Sequence, residues 1–365
     1  MRIKKSLSSS LAAASVLALM PLAASAWTPK LAVDDTTWVQ LGYLHQFWYQ
    51  SVDDGAGTVG DRTRSSDFFN RRSRVMLLGQ ATESIHFFLN YDAAAGGVTG
   101  DRQDPVLTDA IIDYRFSEAF NLSVGRVLVP FTIDNQTSAV SLTGIDYPTR
   151  TLANLPTNPS GAFWRDDGVE ARGLLGGGMI DYRVGYFRGD RDAARNPDGD
   201  GRITGMVVLN LATPQGGWFY NQNSLGALDV LSFGVGFDRM GRSGAGFDDH
   251  EAWSAFFSVE KGLGAGHLTA NGTYIDWDGV VGGFGDGTSF SAAVAFLPTG
   301  SKWQPVVRWQ NQDPDVGSKL DTIGLGLNYF ISGHRAKISA EYSIDDVVID
   351  GSEKDAFRIQ AQLFF

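Results

Sequence analysis

The chain has 365 residues, of which 43% are apolar and 19% charged, and it contains 44 glycines, nine tryptophans and no cysteine. The lack of cysteine excludes disulfides, thiolate metal sites, a cysteine nucleophile and covalent attachment of a c-type haem. Its 41 acidic and 30 basic residues give a net charge of −11, which argues against a general nucleic-acid-binding surface. Abundant glycine and aromatic residues favour strands and tight turns over helices.

The N-terminal segment has the features of an export signal. Basic residues at positions 2, 4 and 5 precede an apolar stretch over 11–24, and Ala24-Ser25-Ala26 has the small-x-small form of a cleavage site. A retained membrane anchor is the alternative, although the stretch is short for a spanning helix. Cleavage after Ala26 would leave 365 − 26 = 339 residues, a single domain over 27–365, with a net charge of −11 − 3 = −14.

Beyond the signal, segments of about ten residues alternate between apolar and polar side chains, as transmembrane β-strands do. In the last segment, alternate residues from Phe357 to Phe365 are apolar and share one face, while Arg358, Gln360 and Gln362 share the other. No apolar run after Trp27 approaches the ~20 residues that a transmembrane helix needs. A soluble sandwich also alternates, but the number of these segments, their aromatic residues and the charges on their polar faces favour a membrane barrel.

The alternation predicts sixteen antiparallel strands, with an uncertainty of two. They lie near 37–50, 70–82, 84–93, 108–116, 119–128, 163–173, 179–188, 202–211, 229–238, 250–260, 267–277, 288–297, 302–311, 319–330, 334–344 and 354–365. Tight turns alternate with longer loops at 51–69, 94–107, 129–162, 189–201 and 345–353, which predicts short periplasmic turns and longer external loops. The connection 212–228 lies on the rim where the other connections are short turns, and it is too long for that position. Sixteen strands leave an aqueous channel, whereas eight fill their interior with side chains.

Two short elements resemble the phosphate-selective porin O and P family of bacterial outer-membrane porins. Residues 124–131 contain Gly125 and Pro130-Phe131 in the family's glycine-x-x-x-x-Pro-Phe spacing, and Arg165-Asp166-Asp167-Gly168-Val169 is similar to the element that opens the family's next strand. Between them lies the longest connection, 129–162. The terminal Phe365 fits the aromatic residue that closes many such barrels. The resemblance implies a homotrimeric outer-membrane channel of sixteen strands, surrounded by lipid and constricted by its third external loop.

One departure from the family bears on selectivity. Phosphate-selective members commonly have a lysine where Leu128 stands in this chain. Arginine binds phosphate through two parallel hydrogen bonds whereas lysine acts as a compact point charge, so the two are not equivalent in a permeation path. We therefore expect a broader channel for small hydrophilic solutes and ions, for which anions such as phosphate are candidates.

The charged residues that could decide selectivity fall into two groups, because the narrowest ring of charges decides which ions pass. Candidates for the constriction are Arg126, Arg150, Arg165, Asp134 and Asp146, where Arg126 has lipid-facing parity and would need a bulge at Gly125 to reach the pore. Alternation places nine cations on the pore wall: Arg72, Arg74, Arg115, Arg172, Arg183, Arg308, Arg335, Lys337 and Arg358. Eight anions share that face: Asp92, Asp109, Asp113, Glu170, Asp181, Asp238, Glu260 and Glu341.

Other chemistry is weakly indicated. Asn196, Asp198 and Asp200 match the first half of a calcium loop, but position twelve is Val207 where a glutamate is needed, so a solvated turn is favoured. No cofactor is implied. The alternatives to a channel are a plugged structural or adhesive barrel and an outer-membrane hydrolase, for which there is no G-x-S-x-G element.

Overall fold

The computed structural model describes residues 28–58, 61–93, 104–156, 163–242, 248–281, 283–347 and 352–365. The proposed signal peptide therefore lies outside the described residues. After a two-residue strand β1 (Leu31–Ala32) come the barrel strands β2 (Trp38–Thr58), β3 (Asp61–Gln80), β4 (Ile85–Asp92), β5 (Val106–Arg115), β6 (Asn121–Leu128), β7 (Arg165–Leu175), β8 (Ile180–Phe187), β9 (Arg202–Asn210), β10 (Val230–Met240), β11 (His250–Gly262), β12 (Gly266–Asp278), β13 (Gly287–Pro298), β14 (Trp303–Pro314), β15 (Leu320–Ser332), β16 (Ala336–Val347) and β17 (Ser352–Phe364).

Strands β2 to β17 form one closed antiparallel barrel, in which each strand pairs with its neighbours in the sequence and β17 pairs with β2. At the closing seam, the Tyr43 N–H donates to the Phe365 carbonyl at 2.7 Å and the Phe365 N–H donates to the Tyr43 carbonyl at 3.1 Å. The sixteen strands predicted from alternation are therefore confirmed. No helix in the described ranges is long and apolar enough to cross a membrane.

Alternation sorts the side chains of each strand between lipid and lumen. On β17, Leu363 is 48% exposed on the outer face while its neighbour Gln362 is 4% exposed inside. The outer face of the barrel is apolar and aromatic, as in Trp253 and Leu325, and the inner face carries most of the buried charges. This arrangement suits a wall with hydrocarbon on one side and polar groups on the other.

The hairpin of β2 and β3 is longer than predicted. Residues 51–69 were expected to be a loop, but pairing continues through Tyr49 and Phe68 to Thr58 and Asp61. The apolar alternation ends there because both faces of the hairpin lie beyond the lipid, yet the backbone hydrogen bonds continue.

A β-bulge also interrupts this hairpin. Gln46 pairs with Arg72 and Phe47 pairs with Asn70, so Arg71 is the extra residue on β3. A bulge turns two successive side chains toward one side of a sheet. In this barrel it brings both Arg71 and Arg72 to the inner side.

Two connections fold into the barrel and supply its interior core. The first is the third external loop, residues 129–164, hereafter L3. The second is residues 211–229, hereafter the inserted segment, which enters from the rim of short turns. Apolar side chains of L3, including Phe131, Leu142 and Leu152, are buried against inward residues of the wall such as Ile275 and Trp277. Burial of each large apolar side chain contributes about 1.5–3 kcal/mol, which holds L3 in the lumen.

The lipid-facing assignment predicts a dependence on depth for charged substitutions. Leu325 lies at the middle of β15 and Ile331 lies near its end, and both side chains face outward. We expect Leu325→Arg to destabilise the folded barrel by about 2–4 kcal/mol and Ile331→Arg by at most about 1 kcal/mol. Reversible unfolding in lipid vesicles measures both values. Equal costs would contradict the assignment of the lipid-spanning band.

Candidate pore constriction

L3 is fixed at its base by backbone hydrogen bonds and by a close approach to the wall. The Val129 N–H donates to the Trp164 carbonyl at 3.0 Å, so that the two ends of the loop meet. Further along, the Ser254 hydroxyl donates to the Phe131 carbonyl at 2.8 Å. A Cβ atom added to Gly236 would lie 2.0 Å from that same carbonyl oxygen. Only glycine at this position of β10 lets the loop backbone lie against the wall.

From this base L3 crosses the lumen to the opposite wall, where Asp146 bridges two arginines. Its Oδ2 accepts from Arg71 Nε at 2.9 Å and lies 2.8 Å from Arg71 Nη2. Its Oδ1 accepts from Arg72 Nη2 at 2.6 Å. Asp146 thus has two guanidinium partners, and both depend on the bulge that turns Arg71 inward. Arg71 was missed by the sequence analysis because strict alternation places it on the lipid face.

The charge of Asp146 is set by these partners. Burial alone would raise its pKa, but the Arg71 and Arg72 guanidinium groups outweigh this effect and hold the pKa of Asp146 well below its usual range. The Tyr147 N–H also donates to Asp146 Oδ1 at 2.9 Å. Asp146 is therefore an anion at neutral pH.

The neighbouring wall carries more positive charge. Arg308 donates to the Asp146 carbonyl at 2.8 Å and to Glu341 Oε1 at 2.6 Å. Lys337 is 1% exposed, and its ammonium lies 3.5 Å from the Leu142 carbonyl oxygen. Within the described part of the chain Lys337 has no carboxylate partner. Arg358, opposite Glu341 in the strand register, donates to the Ser343 hydroxyl at 3.0 Å.

Two other predicted constriction residues lie inside the barrel. Arg150 of L3 donates to Asp345 Oδ2 at 2.6 Å, and about a third of its side chain is exposed. Arg165 lies at the start of β7, just after Trp164, whose φ of 60° helps to bring the chain back to the wall. Two nitrogens of Arg165 donate to the two carboxylate oxygens of Asp109, each at 3.1 Å.

Asp134 is inside the barrel but does not face open space. It is 0% exposed and accepts from Gln222 Nε2 at 2.6 Å and from the Ser291 hydroxyl at 3.2 Å. Burial raises the pKa of Asp134, although hydrogen bonds from Thr273, Ser291 and Gln222 oppose the rise. Asp134 therefore ties L3 to the wall and to the inserted segment.

The placement of Arg126 in the pore was wrong. The register through β5, β6 and β7 is continuous, with Arg126 opposite Ala110 and Asp167, so no bulge turns its side chain inward. Arg126 shares the outward face with Val124 and pairs with Asp167 Oδ1 at 2.7 Å. Gly125 has a positive φ of 120°, but the backbone there keeps its alternation.

Arg335 is the second correction. Strand β16 begins at Ala336, so Arg335 lies in the preceding turn, where it is exposed at the rim. The other predicted wall cations face the lumen side of their strands, and several pair with predicted wall anions: Arg74 with Asp92, Arg115 and Arg172 with Asp113, Arg183 with Asp181, and Arg308 with Glu341. Arg202, absent from the predicted set, is 1% exposed and pairs with Asp238.

The inserted segment meets L3 inside the barrel. The Tyr220 N–H donates to the Gln136 carbonyl at 3.0 Å and the Ser138 N–H donates to the Tyr220 carbonyl at 2.9 Å. Arg183 donates to Gln136 Oε1 at 2.9 Å and to the Trp218 carbonyl at 3.0 Å. These bonds join two segments that enter from opposite rims. The unusual length of 212–228 was the only sign of this arrangement in the sequence.

The half calcium loop forms a hydrogen-bonded turn. Asn196 Nδ2 donates to the carbonyls of Asp190 and Asp200, and Asn196 Oδ1 accepts from the Asp200 N–H. Asp198 has no part in these bonds. Across the described ranges, no group of three acidic or histidine side chains converges as a metal site.

The family comparison agrees with this geometry. Residues 40–201, which include most of β2, strands β3 to β8 and L3, match the family described as phosphate-selective porin O and P. The resemblance seen in the sequence is confirmed. Over this range the chain is similar to a family of outer-membrane porins.

Relatives and solved structures support the same fold. An uncharacterised protein of Aquifex aeolicus strain VF5 is 22% identical to this protein, across 84% of this chain and 82% of its own. The anion-selective porin of Comamonas acidovorans superposes with a TM-score of 0.62 at 14% identity, covering 90% of this chain and 100% of that one. OmpT of Vibrio cholerae, folded in vitro and described as a trimer form, gives a TM-score of 0.54 at 14% identity, covering 91% and 100%.

The close approach at Gly236 predicts that this barrel needs a glycine there. We expect Gly236→Ala to displace the base of L3 and to change the single-channel conductance, because the new methyl group would overlap the Phe131 carbonyl. Gly272→Ala is the matched control, since its Cβ would meet chiefly the movable ring of Phe257 on the outer face. Identical conductances for the two variants would contradict the proposed role of Gly236.

The lowered pKa of Asp146 predicts a contribution to selectivity that does not depend on pH. A carboxyl with a lowered pKa loses its charge only when the pH falls through that lowered value. The difference in reversal potential between the wild-type protein and Asp146→Asn should therefore stay constant between about pH 5 and pH 8. A difference that shrinks toward the acidic end would show that Asp146 titrates in this range.

Proposed function

We propose that this porin is a homotrimer that passes small hydrophilic solutes by passive diffusion, with a preference for anions. In this proposal the signal peptide 1–26 is cleaved, residues 27–365 form a single barrel domain in the outer membrane, and the protein catalyses no reaction. The observation that carries the anion preference is the excess of cations where L3 meets the wall.

This region, hereafter the basic wall, contains six cations and three carboxylates among the described residues. The cations are Arg71, Arg72, Arg150, Arg308, Lys337 and Arg358, and the carboxylates are Asp146, Glu341 and Asp345. Rings of arginine and lysine favour anions, and the narrowest part of a pore decides which ions pass. The basic wall can therefore attract anions although the whole chain is acidic.

A broad anion preference fits this wall better than tight selection of phosphate. Leu128 stands where phosphate-selective members commonly have a lysine, and in this barrel it is buried beside L3. Most basic side chains inside the lumen already donate to carboxylates or carbonyls, so few donors remain to strip a phosphate of its water. The printed description of the Comamonas acidovorans porin as anion-selective supports the broader preference.

The trimer is supported by polar groups on the outer face at the closing seam. Tyr43, His45 and Ser73 lie on adjacent strands β2 and β3, with Tyr43 Oη 3.4 Å from Ser73 Oγ and the His45 ring 6.1 Å from that of Tyr43. Polar side chains facing hydrocarbon are costly, and a neighbouring subunit would remove them from lipid. The trimer form of Vibrio cholerae OmpT supports the same assembly.

The deciding experiment is the reversal potential of the purified porin in a planar bilayer under a KCl gradient. We expect a potential on the anion side, and we expect Asp146→Asn to move it further in that direction because two guanidinium groups lose their counter-charge. Asp278→Asn is the control, since Asp278 ends β12 with an exposed side chain on the outward-facing register.

A potential on the cation side would overturn the anion preference and leave the channel intact. Absence of steady conductance would favour the alternative of a structural barrel closed by L3 and the inserted segment. Gel mobility of unheated samples would establish whether each variant had folded into a barrel.

A further inference from the structure

A cavity of about 140 Å³ lies between the wall formed by β3 and β4 and the two segments that fold into the lumen. L3 contributes residues such as Ser138, and the inserted segment contributes Trp218. The space lies below the Asp146 bridge, toward the rim of short turns.

The wall of this cavity changes from apolar to charged along three successive cross-strand pairs of β3 and β4. Successive cross-strand pairs are Leu78 with Phe88, Met76 with Asn90, and Arg74 with Asp92. Inward-facing positions on a strand are about 7 Å apart. The cavity therefore has an apolar floor near the short turns and a guanidinium at its other end, a spacing that suits one small ring with one charged group.

Aromatic side chains form the apolar end. The ring centroids of Phe88 and Trp218 are 5.6 Å apart, with an angle of 31° between the planes. Both rings line the cavity together with Met76 and Leu78. A flat ring would gain more contact area between these groups than a small inorganic ion, which has no apolar surface to bury.

Three polar groups that line the cavity have unused hydrogen-bonding capacity. Asn90 is 2% exposed, and its Oδ1 has no partner among the described residues, while its Nδ2 donates to Asp109 at 2.8 Å. The Trp218 indole N–H is likewise buried without an acceptor. Arg74 donates to Asp92 through Nε at 2.7 Å, which leaves its two terminal nitrogens without a hydrogen-bond partner in the described part of the chain. Buried polar groups are ordinarily hydrogen-bonded, so this set points to a ligand.

We propose that this cavity is a binding site for small aromatic carboxylates, on the path of the permeating solute. The ring packs against Phe88, Trp218 and Leu78, and the carboxylate accepts hydrogen bonds from the terminal nitrogens of Arg74. Asn90 and the indole N–H supply an acceptor and a donor to polar atoms at the edge of the ring. This inference rests on the proposed channel and deepens its anion preference by naming a class of anion.

The test uses benzoate as the probe, with phosphate and benzyl alcohol as comparators, on the full porin in a planar bilayer. Benzoate should reduce the KCl current in a saturable manner at concentrations where equal phosphate and equal benzyl alcohol leave it unchanged. Phosphate lacks the ring and benzyl alcohol lacks the charge, so each comparator removes one half of the recognition.

Two variants locate the site. Leu78→Asn keeps the number and branching of the side-chain heavy atoms but removes apolar surface from the cavity, and we expect it to weaken the block by about tenfold. Val306→Asn is the matched control, an equally buried inward position on β14 that does not line the cavity. Phe88→Leu, which removes the ring but keeps an apolar side chain, should also weaken the block.

The outcomes separate this inference from the proposed function. If the channel conducts but benzoate does not block it, the aromatic site is overturned and the porin function stands. The same conclusion holds if Leu78→Asn and Val306→Asn weaken the benzoate block equally. If the channel does not conduct, calorimetric titration of benzoate into the purified protein in detergent decides the matter. Absence of binding heat in that titration would overturn the benzoate site whether or not the protein is a channel.

Discussion

Hydrocarbon contains no water to hydrogen-bond a backbone, and the structure is built around this constraint. Every strand of the barrel must find partners on both sides, so the first and last strands have to meet, as they do through Tyr43 and Phe365. Closure leaves sixteen strands around a wide lumen, and that lumen must then be narrowed by chain that spans no membrane. L3 and the inserted segment fill that role, and their position decides which wall residues contact a solute.

The interior is highly charged, yet most of its charges are paired. Wall pairs such as Arg74 with Asp92 and Arg202 with Asp238 offset the cost of burying each ion separately. Among the described residues, the inward-facing cations that lack a carboxylate partner, Lys337 and Arg358, lie on the side of β3, β14, β16 and β17. The overall acidity of the chain thus says little about the field inside the pore, because local imbalance governs the ions that pass.

Much of this architecture could be predicted from the sequence, since a period of two residues is a strong signal when one face meets lipid. The strands and most inward cations follow from it. Arg71 could not be found in this way, because a bulge in β3 turns its side chain from the lipid face to the lumen. Arg126 was misplaced because we expected a bulge at Gly125 that the strand register does not contain. Asp134 and Asp146 belong to one loop yet differ in role, since Asp134 meets uncharged hydrogen-bond donors and Asp146 meets two arginines. Such partners come from distant strands, so no local pattern reveals them.

The bonds between L3 and the inserted segment also bear on how the barrel is made. L3 lies early in the chain, but it contacts Gly236 on β10, Ser291 on β13 and Arg308 on β14, which all follow it by many residues. Contacts of such long sequence separation form late, because the intervening chain must first be ordered. L3 also bonds Gln46 on β2 and, through Val140, Gln362 on β17, the two strands that close the barrel. The filling of the lumen and the closure of the sheet are therefore coupled, because each supplies contacts that the other needs.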